Sequence, residues 1–594
     1  RPSPQGLAAT ALYLTAELKQ WFSTGDVPSL GWLSQMNGCS RYYLVWRSRA
    51  TWVRLCSVVL TALVVASCQR GSIAPPADRF EILTPPAPAY PRIHGAKVVG
   101  LRPGSPFFFQ IAATGKRPMR YQTVDLPAGL NLDPINGRIT GALTKRGNYP
   151  VILRATNRLG SGERILSIVV GDQIALTPPM GWNSWNCWGI DVSQERVLAS
   201  ARGLVASGLR DHGWSYINID DGWQGARGGP LNAIQPNSRF PDMGRLAAEL
   251  HGMGLKFGIY STPWRATLSR HNGSSADNVN GTDDWVATHD YNEFFQYQVP
   301  EFHSWLDGYG WLKPLAGWLR KRRRRAYTEQ MRRPGKYSFV SQDVKQWEEW
   351  GVDYLKYDWA PIDLGHVVPM HDELVKAPRD IFYSLSNNAP FSLAPELSKL
   401  ANAWRTSVDL KDNWRSISQV GFSRDKWAAF NGPNHYNDAD MLVLGKLHWN
   451  RPGMTRLTAN EQYTHFSLWC LLSGPLLLGC ALEDLDPFTI GLVTNDEVID
   501  VDQDPLCKQA TRITSSGQGE VYAKPMEDGS WAVGLFNRGS SAARVSVALS
   551  DLHMSGRVKV RDLWRQKNLG VFALRFEAPV ARHGVVLLRM SSAL

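Results

Sequence analysis

The feature that most constrains the fold is an alternation of short apolar segments and amphipathic runs between residues 178 and 510. Eight segments predict buried strands: 180–185, 216–223, 256–261, 354–359, 382–387, 403–410, 435–442 and 475–479. Runs of helical character separate most of them, for example 193–207, 244–253 and 461–472. Eight strands that alternate with helices predict a (β/α)8 TIM barrel over residues 172–510.

Polar and aromatic side chains stand at the carboxyl ends of these predicted strands. In a (β/α)8 barrel those ends meet at one face, and the active site lies there. The residues concerned are Trp185, Asp220, Asp221, Tyr260, Lys356, Asp358, Ser386, Arg405, Asp409, Asp438 and Asp440. Their regular placement predicts one polar pocket with an aromatic wall.

The fourth segment, Tyr354-Leu-Lys-Tyr-Asp-Trp359, places two charges in a buried strand. Buried charges need partners, so Lys356 and Asp358 are expected to pair with each other or with a polar ligand. A structural ion pair is the simpler interpretation of the segment alone, and the other strand ends favour the ligand.

Several carboxylates, one lysine, one arginine and aromatic walls suit the binding of a sugar. Two carboxylates that flank a glycosidic bond can act as nucleophile and general acid/base. Asp358 is the candidate nucleophile, because Lys356 would keep it ionised. Asp409 is the candidate acid/base, a role that calls for a raised pKa. Retention and inversion stay open, since they depend on the carboxylate separation.

No cofactor or metal site is expected. The seven cysteines show no Cys-x-x-Cys spacing and no histidine cluster accompanies them. The net charge of +12 is concentrated in a basic run, with eight Lys and Arg residues between Arg320 and Arg333 against one acid, Glu329. No nucleic-acid-binding motif accompanies this run, so nucleic acid is not an expected partner.

Two β-rich modules are predicted to flank the barrel. Residues 93–171 form short alternating runs broken by Gly, Asn and Pro, a pattern typical of an Ig-like β-sandwich. After residue 510 the helical runs stop, and short strands at 520–524, 531–537, 543–549, 558–563 and 584–590 predict a C-terminal antiparallel β-sandwich over 511–594.

The first 92 residues are interpreted as a leader and a tether. Residues 1–35 resemble translated upstream sequence, and a basic stretch then precedes an apolar core at 55–66, as in a signal peptide. Val65-Ala-Ser-Cys68 resembles a bacterial lipobox, which predicts export to the cell envelope and attachment to a bacterial membrane through a lipidated Cys68; a plain signal peptide is the alternative. The Pro-rich stretch within 69–92 predicts a tether with nothing to bury.

Motifs at the strand ends carry a resemblance to a known family. They are Gly181-Trp-Asn-Ser-Trp185, Ile219-Asp-Asp-Gly-Trp223, Gly258-Ile-Tyr260, Tyr354-Leu-Lys-Tyr-Asp358, Trp404-Arg405 with Asp409, Asn437-Asp-Ala-Asp-Met-Leu442 and Asp500-Val-Asp-Gln-Asp-Pro-Leu506. In this order they resemble glycoside hydrolase family 27, the melibiase-type α-galactosidases and α-N-acetylgalactosaminidases. Residues 93–171 also resemble Ig modules appended to bacterial surface enzymes.

The resemblance implies a retaining, exo-acting double displacement with Asp358 as nucleophile and Asp409 as acid/base. It further implies that Asp220 and Asp221 bind the 4- and 6-hydroxyls of galactose. Lys356 and Arg405 would hold the 3- and 2-hydroxyl side. Trp185 would form the apolar wall, and Tyr260 would lie against the nucleophile. The expected substrates are α-galactoside oligosaccharides or glycoconjugates.

Three departures from the family pattern bear on this expectation. Cysteines found near the pocket rim in animal members are absent, and a long insert at 263–336 follows the third strand, as a cover for the aglycone side or as a disordered insertion. In the family, small residues at the positions of Ser386 and Ala389 accompany N-acetylgalactosamine. α-N-Acetylgalactosaminidase is therefore the rival activity, and an inactive carbohydrate-capture lipoprotein is the rival class.

Overall fold

The computed structural model describes residues 80–281, 332–447 and 453–593. Two predicted features lie wholly or partly outside the described residues. The first is the leader with Cys68 and the start of the Pro-rich segment. The second is the middle of the insert, which includes most of the basic run that begins at Arg320. Among the helices described, none is both long and apolar enough to cross a bilayer.

The N-terminal module is a β-sandwich. A four-stranded sheet, in the order β2-β9-β8-β5, faces a three-stranded sheet, β3-β7-β6, across one apolar core. Strand positions pack inward from both sheets, for example Ile139 and Ile168. The strands are β1 (Arg92–His94), β2 (Val98–Leu101), β3 (Pro106–Gln110), β4 (Ala112–Thr114), β5 (Arg120–Val124), β6 (Leu130–Asp133), β7 (Arg138–Ala142), β8 (Gly147–Asn157) and β9 (Gly160–Val170).

The central domain contains the eight predicted parallel strands and three two-stranded antiparallel sheets, β12-β13, β15-β16 and β21-β22. Its strands are β10 (Met180–Asn183), β11 (Tyr216–Asn218), β12 (Gln224–Gly228), β13 (Ala233–Pro236), β14 (Lys256–Ser261), β15 (Ser275–Ala276), β16 (Tyr337–Ser338), β17 (Tyr354–Asp358), β18 (Phe382–Ser386), β19 (Ala403–Arg405), β20 (Tyr436–Asp438), β21 (Lys446–Leu447), β22 (Gly453–Met454) and β23 (Leu476–Leu478). The parallel strands are almost entirely buried, for example β18, β19, β20 and β23, as is usual for a parallel sheet that is covered on both faces.

The eight parallel strands curl into a TIM-type barrel. They follow the order β20-β19-β18-β17-β14-β11-β10-β23, and a parallel bridge between Leu442 and Leu478 joins the two ends of this sheet. The sequence-based barrel prediction is thus confirmed. All eight segments form strands, although most are shorter than expected and Trp185 begins a helix instead of ending β10.

Helices surround the strands, and sequence signals set their starts. Ser193 caps one helix by accepting the amide of Arg196, and Thr458 with Glu461 forms a complete capping box at another. The helices are α1 (Trp185–Trp188), α2 (Gln194–Ala206), α3 (Met243–Gly252), α4 (Val340–Trp350), α5 (Leu364–Lys376), α6 (Ala394–Leu400), α7 (Trp414–Gly421), α8 (Ala459–Leu472), α9 (Pro487–Val493) and α10 (Asp496–Asp502).

The C-terminal domain is the predicted antiparallel β-sandwich. A six-stranded sheet, β24-β25-β26-β31-β28-β29, shares an apolar core with the pair β27-β30. Three strands, β24, β29 and β30, were not foreseen from the sequence. The strands are β24 (Thr511–Ser516), β25 (Gly519–Pro525), β26 (Trp531–Asn537), β27 (Ala543–Ala548), β28 (Val558–Asp562), β29 (Lys567–Phe572), β30 (Arg575–Val580) and β31 (Val585–Ser592).

The N-terminal module covers the amino end of the barrel, away from the predicted site. Arg102 forms an ion pair with Asp380, with 2.5 Å between Nε and Oδ1. Its Nη2 donates to the carbonyls of Ala377 and Arg379, and its Nη1 donates to the carbonyl of Val375. Phe108 packs on His251 with ring centroids 5.2 Å apart. These contacts leave the carboxyl end of the barrel free for a ligand.

The described part of the Pro-rich segment packs on the barrel, contrary to the expectation of a tether with nothing to bury. The ring of Phe80 lies edge-on to Phe488 with centroids 5.0 Å apart. The amide of Leu83 donates to the hydroxyl of Tyr463 over 2.9 Å, and the hydroxyl of Thr84 donates to the carbonyl of Gly491 over 2.6 Å. The segment is therefore attached along α8 and α9.

Candidate active site

A cavity of about 120 Å³ opens at the carboxyl ends of the barrel strands. Almost every residue predicted for the site contributes to it. Its lining is Trp185, Asn186, Asp220, Asp221, Tyr260, Leu268, Lys356, Asp358, Ser386, Asn387, Arg405, Asp409, Leu410, Asp440 and Met441. Ala389 and Asp438 are not among them: both are buried, and the amide of Ala389 donates to the carbonyl of Arg405 over 2.7 Å.

Strand β17 directs both of its charges into this cavity. Side chains alternate along a strand, so Lys356 and Asp358 share one face while Tyr357 packs outward among aromatic rings. The Lys356 ammonium bonds to Asp220, with 2.7 Å between Nζ and Oδ2. The ion pair therefore joins β17 to the end of β11, rather than Lys356 to Asp358.

Asp220 is fixed by further contacts on its own side of the barrel. The side-chain amide of Asn183 donates to Asp220 Oδ2 over 2.8 Å, and the Ser184 hydroxyl accepts the backbone amide of Asp220 over 3.0 Å. Burial lowers the pKa of Lys356, but Asp220 and Asp358 outweigh this effect and raise it overall. Lys356 thus remains a cation in the cavity.

Asp358 lies at the base of the cavity and is 3% exposed. Burial raises its pKa to about 6, even though Lys356 and Arg405 act in the opposite direction. The side-chain amide of Asn387 donates a hydrogen bond to Oδ1 of Asp358. Tyr260 is buried beside the same carboxylate, and burial together with Asp358 raises the pKa of its phenol well above the usual value.

Asp409 is open to solvent at the cavity rim, with a side chain that is 78% exposed. The guanidinium of Arg405 donates to its Oδ1 over 3.1 Å. Burial raises the pKa of Asp409 less than Arg405 and Lys356 lower it, so the net shift is downward. The expected raised pKa at Asp409 is therefore wrong for the ligand-free protein, and the raised value occurs at Asp358 instead.

Asp440 holds the segment that carries Asp409. It accepts the amide of Leu410 at Oδ2 over 2.7 Å, and Arg405 Nη1 lies 3.0 Å from its Oδ1. Its backbone has φ +85°, a conformation that non-glycine residues adopt infrequently. Burial raises the pKa of Asp440 and raises that of the neighbouring Asp438 to about 6.

Asp221 is held by a loop of the insert. The amide of Ser269 donates to Oδ2 over 2.7 Å, and Nδ1 of His271 lies 3.1 Å from Oδ1. Burial raises the pKa of Asp221, but the hydrogen bond and charge of His271, with the amide of Ser269, lower it overall. No sequence signal identified Ser269 or His271, because their proximity to Asp221 depends on how the insert folds back.

Asn387 was also missed as a site residue. It follows Ser386 at the end of β18 and, like Asn388, has a positive φ, +73° and +47° respectively. An Asn-Asn pair tolerates left-handed backbone and favours a turn, a signal that could have indicated a side chain turned back toward Asp358.

The cavity has the groups that hydrolysis of a glycoside needs. A buried carboxylate and an exposed one share it, and Lys356, Arg405, Asp220 and Asp221 present donors and acceptors for hydroxyls. Within the described ranges, no group of three or more His, Cys, Asp or Glu side chains is arranged to hold a metal ion.

Family comparison gives the same assignment for the chain as a whole. The model described as Alpha galactosidase A matches residues 177–313 and 326–504, and the Alpha galactosidase C-terminal beta sandwich domain matches 516–590. The chain belongs to the α-galactosidase family, glycoside hydrolase family 27. It is a glycoside hydrolase of the α-galactosidase type. Residues 93–171 match the model described as Putative Ig domain, which confirms the predicted module.

Individual relatives agree with this membership. The chain is 33% identical to the α-galactosidase of Cyamopsis tetragonoloba over 416 residues, which cover 68% of this chain and 84% of the relative. A Bacteroides fragilis structure described as a putative alpha-galactosidase has a TM-score of 0.70, 29% identity and coverage of 85% and 98%. A Geobacillus stearothermophilus family 27 β-L-arabinopyranosidase has a TM-score of 0.55, 25% identity, and coverage of 71% of this chain and 97% of that one.

Proposed function

We propose that the protein is a retaining, exo-acting α-galactosidase that releases terminal non-reducing α-D-galactosyl residues. The observation that carries this proposal is the placement of Asp358 and Asp409 in one cavity with the Lys356–Asp220 pair and Arg405. This arrangement would bring a nucleophile, an acid/base and hydroxyl partners to one sugar ring.

In the proposed reaction, Asp358 attacks the anomeric carbon while Asp409 gives its proton to the departing glycosidic oxygen. Water then hydrolyses the glycosyl–Asp358 ester with Asp409 as base. A pKa of about 6 leaves Asp358 largely ionised at neutral pH, as a nucleophile requires. A bound substrate would displace water from the exposed Asp409. Desolvation raises the pKa of a carboxyl group, so Asp409 would then hold the proton that a general acid must donate.

The size of the cavity supports exo action. Its volume of about 120 Å³ is below the roughly 300–1,000 Å³ of pockets that enclose larger ligands. It therefore suits one terminal sugar, with the rest of the substrate outside. Leu268, Leu410 and Met441 supply apolar surface where the leaving group would lie.

α-N-Acetylgalactosaminidase remains the second candidate because Ser386, a small residue, lines the cavity. Two observations favour galactose. Ala389, the other small residue, does not reach the cavity, and the longer Asn387 lies against the nucleophile. An acetamido group would need space that Asn387 occupies in part.

The decisive experiment compares kcat/KM on p-nitrophenyl α-galactoside, α-N-acetylgalactosaminide and β-L-arabinopyranoside. A clear preference for the first is expected, and lack of that preference would refute the assignment. NMR of the first-formed sugar tests retention, since an inverted anomer contradicts a covalent intermediate on Asp358. Wild-type inactivity on every α-glycoside, with sugar binding intact, would favour a capture protein.

We further propose export from a bacterial cell and lipid attachment at Cys68, on the basis of Val65-Ala-Ser-Cys68 alone. In a bacterial host, incorporation of labelled palmitate into the wild type and its loss in Cys68→Ala are expected. Unlabelled wild-type protein that is nonetheless exported would indicate a plain signal peptide.

A further inference from the structure

The Asp221 carboxylate at the site contacts the first part of the insert, at Ser269 and His271. The Asp221 side chain is 1% exposed and the His271 side chain 12% exposed. Besides Nδ1 of His271 at 3.1 Å, the carboxylate receives the Ser269 amide at 2.7 Å. Each carboxylate oxygen therefore already accepts at least one hydrogen bond from the protein.

The two adjacent aspartates are neutralised in different ways. Asp220 bonds to Lys356, a residue of the barrel itself, over 2.7 Å. Asp221 instead bonds to His271, which lies outside the eight barrel strands in the loop after β14. A carboxylate accepts through about four lone-pair sites, so Asp221 retains sites for a sugar hydroxyl.

The described ends of the insert fix the position of this loop. Strands β15 and β16 pair across the base of the insert. Arg265 and Arg333 both reach Asp277, at 3.0 and 2.5 Å. The side-chain amide of Asn272, next to His271, donates to the carbonyl of Gly225 over 2.7 Å. Contacts at the base of the insert and at Asn272 therefore hold the loop that places the imidazole of His271 against Asp221.

We propose that His271 is a positioning residue that orients and keeps ionised the Asp221 carboxylate for one sugar hydroxyl. The inference rests on the proposed function, and it makes the base of the insert part of the glycone pocket. The Nδ1–H of His271 donates to Oδ1 of Asp221, since an ionised carboxylate can only accept. Without that donor, Asp221 keeps the Ser269 amide at Oδ2 but loses the bond that orients Oδ1, and the buried carboxyl is harder to ionise.

The test measures kcat/KM of the wild type, His271→Ala and His271→Asn on p-nitrophenyl α-galactoside and its 4-deoxy and 6-deoxy analogues. A hydrogen bond to a charged group predicts a loss of about 10- to 100-fold for His271→Ala on the full substrate, mainly in KM. His271→Asn, whose amide donates from nearly the position of Nδ1, is expected to recover most of it.

The deoxy substrates separate positioning from a general structural role. The penalty of His271→Ala is expected to vanish on the analogue that lacks the hydroxyl bound by Asp221 and to persist on the other. An equal penalty on all three substrates, or no penalty, overturns the proposal. If His271→Ala does not fold, His271→Gln replaces it, because its longer amide cannot donate from the position of Nδ1, and the same selective loss is expected.

His251 provides a matched control. Its Nε2 lies 2.8 Å from Asp353 Oδ2, so it forms a similar His–Asp pair, but at the amino end of the barrel. His251→Ala is expected to keep kcat/KM within about twofold on all three substrates while lowering the melting temperature. Wild-type inactivity on the α-galactoside would refute the proposed function, whereas an active wild type with an unaffected His271→Ala would refute only the inference.

Discussion

Strand β17 has a buried aspartate at each end, and the surroundings shift the pKa values of the two carboxyl groups in opposite directions. Asp353, just before the strand, accepts the amide of Phe257 and bonds to His251 and Arg379, each over 2.8 Å. Burial raises its pKa, but His251 and Arg379 outweigh this and lower it overall. Asp358, at the other end, has a pKa raised to about 6.

The difference distinguishes a carboxylate that stabilises the fold from one that is available for chemistry. At the amino end, the protein supplies a full set of partners to Asp353 and the N-terminal module covers the region. At the carboxyl end, Asp358 is buried and Asn387 donates to it, so ionisation of its carboxyl group costs free energy. Perturbed pKa values of this kind concentrate at functional sites.

The largest expected effect comes from replacing one aspartate and then the other. Asp358→Asn should lower kcat on p-nitrophenyl α-galactoside by at least about 10⁴-fold, because the nucleophile is lost. Asp353→Asn should leave kcat within about twofold and lower the free energy of unfolding by roughly 3 kcal/mol, since it breaks a buried charge network. Steady-state kinetics and urea unfolding measure both; a comparable activity loss in Asp353→Asn would remove the distinction.

The pH dependence of activity should reflect the raised pKa of Asp358. Below about pH 6 the nucleophile becomes protonated in the free enzyme, so kcat/KM is expected to fall about tenfold per pH unit. A pH–rate profile on a non-ionising aglycone measures this limb. An acidic limb that begins near pH 4 would show that Asp358 is not destabilised as a carboxylate.

The two aspartates at the ends of β17 should change the free energy of unfolding in opposite directions as pH rises. The folded pKa of Asp358, about 6, exceeds its usual 3.8, so its ionisation removes stability between about pH 4 and 6, and the loss is complete above that range. Asp358→Asn should therefore gain stability over the wild type as pH rises from 4 to 6. Asp353 has a lowered pKa, so its contribution is present above its unfolded pKa and is lost as pH falls through its folded pKa.

A smaller effect is expected from Asn387→Ala. Its amide donates to Oδ1 of Asp358 and so favours the ionised form. Removing it should raise the pKa of the acidic limb and lower kcat/KM at pH 7 by roughly tenfold. Asn388→Ala is the control, because in the described part of the chain the side chain of Asn387, and not that of Asn388, donates a hydrogen bond to Asp358. Equal profiles for the two variants would contradict the role of Asn387.

The smallest kinetic effect is expected at the amino end. Arg102→Ala removes the ion pair with Asp380 and the bonds to three carbonyls, so the N-terminal module should bind the barrel less tightly. Unfolding free energy should fall by about 1–3 kcal/mol with kcat/KM unchanged. A large loss of activity would mean that the module influences the opposite face of the barrel.

The sequence was sufficient for the barrel and most of its pocket because both depend on local pattern. Strand ends repeat every few dozen residues, so Asp220, Lys356, Asp358 and Arg405 could be placed on one face without coordinates. Long-range contacts were out of reach: His271 approaches Asp221 only after the insert folds back. The direction of the pKa shifts could not be predicted from the sequence either. Asp409 and Asp358 are the same residue type, and their pKa values differ because one is exposed and the other is buried.

The attached Pro-rich segment has a consequence for biosynthesis. Thr84 bonds to Gly491, which lies 407 residues later in the chain. At about 5–20 residues per second, the docking surface on α9 is completed roughly 20–80 s after Thr84 is made. Thr84 can therefore make its native contact only after α9 has been synthesised.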